Sequence, residues 1–71
     1  MKIMRKDVNG EFDNDDKFEV ESLEAYAKAR NDLNKEVHGG TICSQLKVVN
    51  PHTIEHRTPG GKLIESYHVV N

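Results

Sequence analysis

Four histidines, one cysteine and a run of carboxylates are the residues in this chain whose chemistry could bind a metal or catalyse a reaction. The histidines are His38, His52, His56 and His68, and the cysteine is Cys43. On a strand, His52 and His56 would share a face but lie about 13 Å apart, which is too far for one ion. Because no paired Cys/His spacing is present, the sequence predicts neither a metal site nor a cofactor.

A catalytic site would need an activated nucleophile or a cooperating pair of carboxylates. Cys43 lies in a predicted strand, where a lone cysteine commonly packs as a small hydrophobe. Glu55 and Glu65 could face each other across the predicted C-terminal hairpin and do acid–base work. A chain this short is too small to enclose a deep substrate pocket alone. We therefore predict that the protein is not an enzyme and has no catalytic residue.

The carboxylates are concentrated in one segment. Residues 11–24 hold seven acids against a single base, Lys17. A calcium loop of the EF-hand type needs glycine at its sixth position and glutamate at its twelfth. Counting from Asp13, these positions hold Phe18 and Glu24, so the required turn is missing. A solvated acidic loop and a contact surface for a basic partner both stay open as interpretations.

One helix is predicted over residues 22–37. Ser22 is a good N-cap residue, and Gly39-Gly40 supplies the left-handed stop that ends many helices. The apolar residues at helical spacing are Leu23, Tyr26, Ala27, Leu33 and Val37. We expect this stripe to seal a sheet, so that Leu33→Ala would cost roughly 2–4 kcal/mol of stability.

Before the helix, residues 2–8 predict a first strand, followed by the favoured type I′ turn pair Asn9-Gly10. Two continuations are open. A tight hairpin would place Lys6 near Asp13, whereas a longer loop over residues 9–16 would delay the second strand to residues 17–21. The acidic residues are poor strand formers, which favours the later strand, with Phe12 extending it backwards in a variant of this prediction.

After the helix the pattern changes to strict alternation, with Ile42, Leu46 and Val48 as the buried set. Strands are predicted at residues 53–58 and 62–70, joined by a type II turn over residues 58–61. The register stays open, because a three-residue loop would place His68 opposite His52 and a two-residue loop would place Tyr67 there. The chain is thus predicted to be one α+β domain over residues 1–71. It would have four to five antiparallel-dominated strands and one helix on one face, in the order ββαβββ or βαβββ.

The composition indicates a thin core. Of 71 residues, 35% are hydrophobic and 31% are charged, and the mean hydropathy is -0.74. A single cysteine excludes an internal disulfide, so self-association is the expected supplement to the core. No apolar run has the length of a membrane span, and no hydrophobic stretch follows the basic start, so we expect no membrane contact and a cytoplasmic protein.

These observations favour a small non-enzymatic interaction protein that binds a larger, basic-surfaced protein partner. Nucleic acid is not the expected partner, because the net charge is -2 and only Lys47, Arg57 and Lys62 provide bases around Tyr67. The predicted contact residues are Asp13, Asp15, Asp16, Glu19, Glu21, Arg57 and Tyr67. In layout alone the chain resembles many small proteins, among them phage-encoded inhibitors of host enzymes. The alternative is a homo-oligomer that binds a small ligand between its subunits.

Overall fold

The computed structural model describes residues 1–37, 39 and 43–70, and the side chains of residues 13–16 fall outside that description. The elements are β1 (Lys2–Lys6), β2 (Phe12–Glu19), α1 (Leu23–Val37), β3 (Gln45–Asn50), β4 (Thr53–Arg57) and β5 (Leu63–Val69). The five strands form one antiparallel sheet in the order β2-β1-β5-β4-β3, with α1 on one face. The predicted α+β class is confirmed, in its ββαβββ form.

The start of α1 follows the predicted capping chemistry. The Ser22 hydroxyl accepts a hydrogen bond from the Ala25 amide at 3.0 Å, which satisfies one of the donors left free in a first helical turn. At the other end, Gly39 has a φ of 66°, and its amide donates to the Glu36 carbonyl at 3.2 Å. Gly40, the second residue of the predicted stop, lies outside the described residues.

The buried face of α1 is narrower than the apolar stripe predicted. Leu23 and Ala27 are buried in the core, and Tyr26 packs against it. Leu33 and Val37, however, are 52% and 71% exposed, so the prediction that they seal the sheet was wrong. The backbone of α1 comes closest to β3 and β4, and the half-buried residues in its second half are Asn31 and Asn34 instead. The rest of the core is Ile3, Leu46, Ile54 and Tyr67.

Two hairpin loops of the same design join β1 to β2 and β4 to β5. In one, Gly10 donates to the Asp7 carbonyl and Asp7 donates to the Glu11 carbonyl; in the other, residues Thr58, Gly61 and Lys62 repeat this pattern. Gly10 and Gly61 have φ values of 86° and 92°, and they alone among the loop residues are left-handed. The type I′ turn at Asn9 and the type II turn at Gly60 were therefore wrong predictions, since each requires a positive φ at that residue.

Strand β2 begins at Phe12, earlier than residues 17–21 and in agreement with the variant in which Phe12 extends this strand backwards. The long loop over residues 9–16 does not form. The tight-hairpin alternative was also off by one residue, because Lys6 pairs with Phe12. Met4 pairs with Lys17, so four β2 residues lie opposite Arg5 alone and the acidic stretch forms a bulge. Poor strand formers are tolerated there, since β2 is an edge strand and a charged bulge blocks edge pairing.

The opposite edge, β3, is covered by an asparagine of α1. The Asn31 side-chain amide donates to the Leu46 carbonyl at 2.9 Å, and its oxygen accepts from the Leu46 amide at 2.7 Å. This pairing occupies the backbone groups that an incoming strand would use. Strand β3 itself starts at Gln45, while Ile42 of the predicted alternation lies outside the described residues.

The register of the C-terminal hairpin differs from both alternatives. Thr53 lies opposite His68, and Ile54 lies opposite Tyr67. The amide of Val69 donates to the carbonyl of His52 at 3.0 Å, so neither His68 nor Tyr67 faces His52. A bulge causes the shift: Arg57 pairs with Leu63, as the three-residue loop requires, but His56 pairs with Glu65, one residue further along β5.

Candidate functional site

A buried polar cluster lies beneath α1, centred on the carboxylate of Glu65. Its Oε1 accepts a hydrogen bond from the Arg5 Nε at 2.6 Å. Its Oε2 lies 2.8 Å from the His56 Nδ1 and accepts from the Tyr67 hydroxyl at 2.7 Å. Glu65 is only 8% exposed, so these partners replace the water that an ionised carboxylate would otherwise need.

The partners of Glu65 decide its charge. Burial alone would raise the pKa of Glu65, but the hydrogen bonds from Arg5, His56 and Tyr67 outweigh burial and lower this pKa from 4.5 to about 2. Burial, with the hydrogen bond to Glu65, raises the pKa of Tyr67. Glu65 is therefore an anion and Tyr67 a neutral donor across the physiological range.

Arg30 connects this cluster to α1. Its Nη1 donates to the Tyr26 hydroxyl at 2.6 Å and to the Tyr67 hydroxyl at 3.0 Å. The rings of Tyr26 and Tyr67 meet edge to face with centroids 5.3 Å apart. Tyr67 is 3% exposed, which corrects the prediction that it anchors a partner on the free surface.

Ser44, His56 and Glu65 are connected in the same way as the residues of a hydrolytic triad. The Ser44 Oγ lies 2.9 Å from the His56 Nε2, and Nδ1 of the same ring faces Glu65. In hydrolases the acid orients the histidine, and the serine opens onto a substrate pocket. Here the carboxylate also binds Arg5 and Tyr67, and the groove described below lies on the other face of the sheet. We interpret the cluster as a network that fixes β1, β4 and β5 together and holds Ser44, just before β3, against β4.

The predicted pairing of Glu55 with Glu65 was wrong. Glu65 lies opposite His56, and Glu55 lies opposite Ser66. The two carboxylates thus occupy opposite faces of the sheet, because side chains alternate along a strand. No acid–base pair forms from them.

The second candidate surface is the face of the sheet opposite α1, which we call the open face. No helix covers it in the described part of the chain. Phe12 and His68 meet on it edge to face with centroids 5.5 Å apart, and the Lys6 Nζ lies 5.1 Å from the centre of the Phe12 ring. Its charged residues with described side chains are Lys2, Lys6, Lys17, Glu19, Lys47, Glu55 and Arg57.

A groove of about 510 Å³ crosses the β3–β4 side of the open face. Lys47 and Arg57 contribute two bases to it and Glu55 one acid, while Val49 and Pro59 supply apolar surface. Cys43, a half-buried free thiol, lies at one end of the groove. Of the predicted contact residues, Arg57 lines this groove.

The predicted acidic residues lie along and just beyond β2. Glu19 and Glu21 are exposed, and Glu19 pairs with the chain's N-terminal ammonium at 3.2 Å. Asp13, Asp15 and Asp16 occupy the bulge of the edge strand, and their side chains are outside the description. The acidic residues therefore lie at the β2 edge of the sheet, whereas Arg57 lies on β4, next to the opposite edge.

Sequence reasoning missed the buried cluster. Glu65 was considered only as a partner of Glu55, and Arg5, Arg30 and Ser44 were not considered. A usable signal existed, since Glu65 alternates in phase with Tyr67 and Val69, which are apolar and belong to or pack against the core. His38 lies outside the described residues, and no three potential metal-binding side chains come together among those that are described.

The chain matches no protein-family model. It matches no curated protein and no solved structure. No helix in the described ranges has the length and apolar character needed to cross a membrane.

Proposed function

We propose that the chain is a non-enzymatic interaction protein that covers a surface of a larger protein partner and so inhibits or modulates it. The observation that supports this is the asymmetry of the sheet. One face is sealed by α1 over a satisfied polar cluster, whereas no helix in the described ranges covers the open face. The open face adjoins the acidic edge strand β2 and carries Lys47 and Arg57 on β3 and β4.

Contact through a sheet face is favoured over strand addition at an edge. The β2 edge carries an acidic bulge, and the Leu46 backbone of the β3 edge is occupied by Asn31. Both devices disfavour pairing with a foreign strand. A partner would instead lie on the open face, with basic groups of its own near β2, where the acids accelerate association.

The experiment begins with affinity capture from a lysate of the source cells and identification of the retained protein. Association with that purified partner is then measured at low and high salt. A fivefold neutralised variant carries Asp13→Asn, Asp15→Asn, Asp16→Asn, Glu19→Gln and Glu21→Gln. We expect its on-rate to fall about tenfold at low salt and its salt dependence to flatten.

The matched control neutralises exposed acids on the outer side of α1, with Asp32→Asn and Glu36→Gln. This variant should bind like the wild type. An unchanged on-rate of the fivefold variant at low salt would contradict the proposal. Native mass spectrometry of the purified chain tests the alternative function, which a co-purifying small molecule on an oligomer would support.

A further inference from the structure

Building on that proposed function, we infer that the open-face groove between β3, β4 and the Thr58–Lys62 loop receives a short acidic segment of the protein partner. The groove combines two cations, Lys47 and Arg57, with an apolar wall.

Arg57 is held in place before any partner arrives. Its Nε donates to the Glu55 Oε1 at 3.1 Å, and its Nη1 donates to the Gly61 carbonyl at 2.8 Å. The Nη2 group has no acceptor among the described residues. A guanidinium fixed in this way binds a carboxylate with little further loss of side-chain freedom.

Lys47 supplies the second cation. It lies directly opposite Glu55 across the β3–β4 pair, and its side chain is exposed. Because Glu55 is hydrogen-bonded to Arg57, the groove holds two bases against one acid that is already paired. The net positive charge is complementary to carboxylates.

The remaining wall of the groove suits a peptide. Val49 is 43% exposed, and Pro59 is exposed beside it at the loop. These surfaces can contact apolar side chains that alternate with acidic ones. The volume of about 510 Å³ lies within the range of sites that enclose most of a small ligand or a few residues of a chain.

The net charge of the chain favours a short segment over a nucleic acid. It is -2, which opposes a long polyanion. A segment confined to β3 and β4 meets Lys47 and Arg57. It does not require the bases on the β1–β2 side of the open face, which are Lys2, Lys6 and Lys17.

The probe is an acetylated, amidated peptide of sequence Glu-Leu-Glu-Leu-Glu, titrated into the ¹⁵N-labelled full chain. We expect saturable shifts at Gln45, Lys47 and Arg57 with a dissociation constant below about 1 mM. The variants Lys47→Gln and Arg57→Gln should each weaken binding about threefold to fivefold. Lys17→Gln removes the same charge from the distant side of the open face and should leave the affinity unchanged.

Four results would overturn the inference. They are an absence of shifts at the groove, equal binding of the neutral peptide Gln-Leu-Gln-Leu-Gln, tighter binding of a dodecamer of thymidylate, and burial of the groove in a dimer of this chain by light scattering and NMR. Partner capture separates this inference from the proposed function. If neutralising the β2 acids slows partner binding while Lys47→Gln and Arg57→Gln do not change it, only the groove assignment fails.

Discussion

At the scale of single residues, Glu65 is the side chain on which most others depend. Its carboxylate receives hydrogen bonds from β1, β4 and β5, and so joins three strands beneath α1. Removing one member of a buried ionic network costs much stability, because the remaining charged groups are left unpaired in a medium of low polarity.

The substitution Glu65→Gln should therefore lower the free energy of unfolding by about 3 kcal/mol. The amide keeps the size of the side chain but removes the charge that balances Arg5. Glu55→Gln makes the same change on the open face and should cost less than about 1 kcal/mol, as exposed ion pairs do. Urea titrations of both variants give the comparison, and equal losses would contradict the central role of Glu65.

The pH dependence of stability follows from the same carboxylate. Its pKa is 4.5 when unperturbed and about 2 in the folded chain. A lowered folded pKa means that the stabilisation is fully present above pH 4.5 and is lost as the pH falls towards 2. The urea concentration at the unfolding midpoint, measured from pH 7 to pH 2, should decrease between pH 4.5 and pH 2. The decrease should be steeper than that of Glu65→Gln. Parallel curves would show that Glu65 is not the titrating group.

At the scale of elements, α1 shows which features a sequence pattern can and cannot predict. Local signals located its ends, because capping by Ser22 and the left-handed Gly39 depend only on neighbouring residues. The pattern could not show how far a sheet extends beneath the helix, so Leu33 and Val37 were assigned to the wrong surface. The bulge in β2 could not be predicted for a similar reason, since it depends on the pairing of β1 with β2.

The exposure of Leu33 gives a direct test of this arrangement. Leu33→Ala should lower the free energy of unfolding by less than about 0.5 kcal/mol, because this side chain buries little apolar surface in the folded chain. Leu46→Ala, the same change at a residue that is 3% exposed, should cost about 2–4 kcal/mol. Thermal and urea unfolding of the pair measure the difference. A loss above about 2 kcal/mol for Leu33→Ala would mean that α1 presents another face to the sheet.

Alternation along β5 shows the same limit for the candidate site. Glu65, Tyr67 and Val69 are in phase, so a charged residue shares the face of two apolar ones. Burial of the Glu65 carboxylate depends on Arg5, which is 60 residues away in the sequence, and on His56, which only the bulged hairpin register places opposite it. The sequence pattern alone therefore could not predict the cluster, because it does not show which strands pair with β5.

At the scale of the whole molecule, β5 holds the sheet together. It pairs with β1 on one side and with β4 on the other, at the centre of the order β2-β1-β5-β4-β3. If β5 separates, β1 and β2 remain as a two-stranded hairpin, which is marginally stable in water. The sheet should therefore open as one unit.

Native-state hydrogen exchange checks this expectation. The paired amides of β5 and β1 should exchange with the free energy of global unfolding, as core strands do, while the edge strand β2 should exchange more easily. The reference value comes from urea unfolding under the same conditions. If the amides of α1, β3 and β4 outlast those of β5, the two halves of the sheet are independent units.

The position of β5 along the chain also bears on how quickly the protein reaches its native state. It is the last of the five strands in sequence, yet Ile3 of the first strand pairs with its residue Val69. Contacts between such distant residues slow folding, because a long loop must close before the contacts form. We expect refolding in the millisecond-to-second range of folds dominated by distant pairings. During synthesis, the hairpin of β1 and β2 must wait until residues 63–69 have been made before β5, the other neighbour of β1, exists.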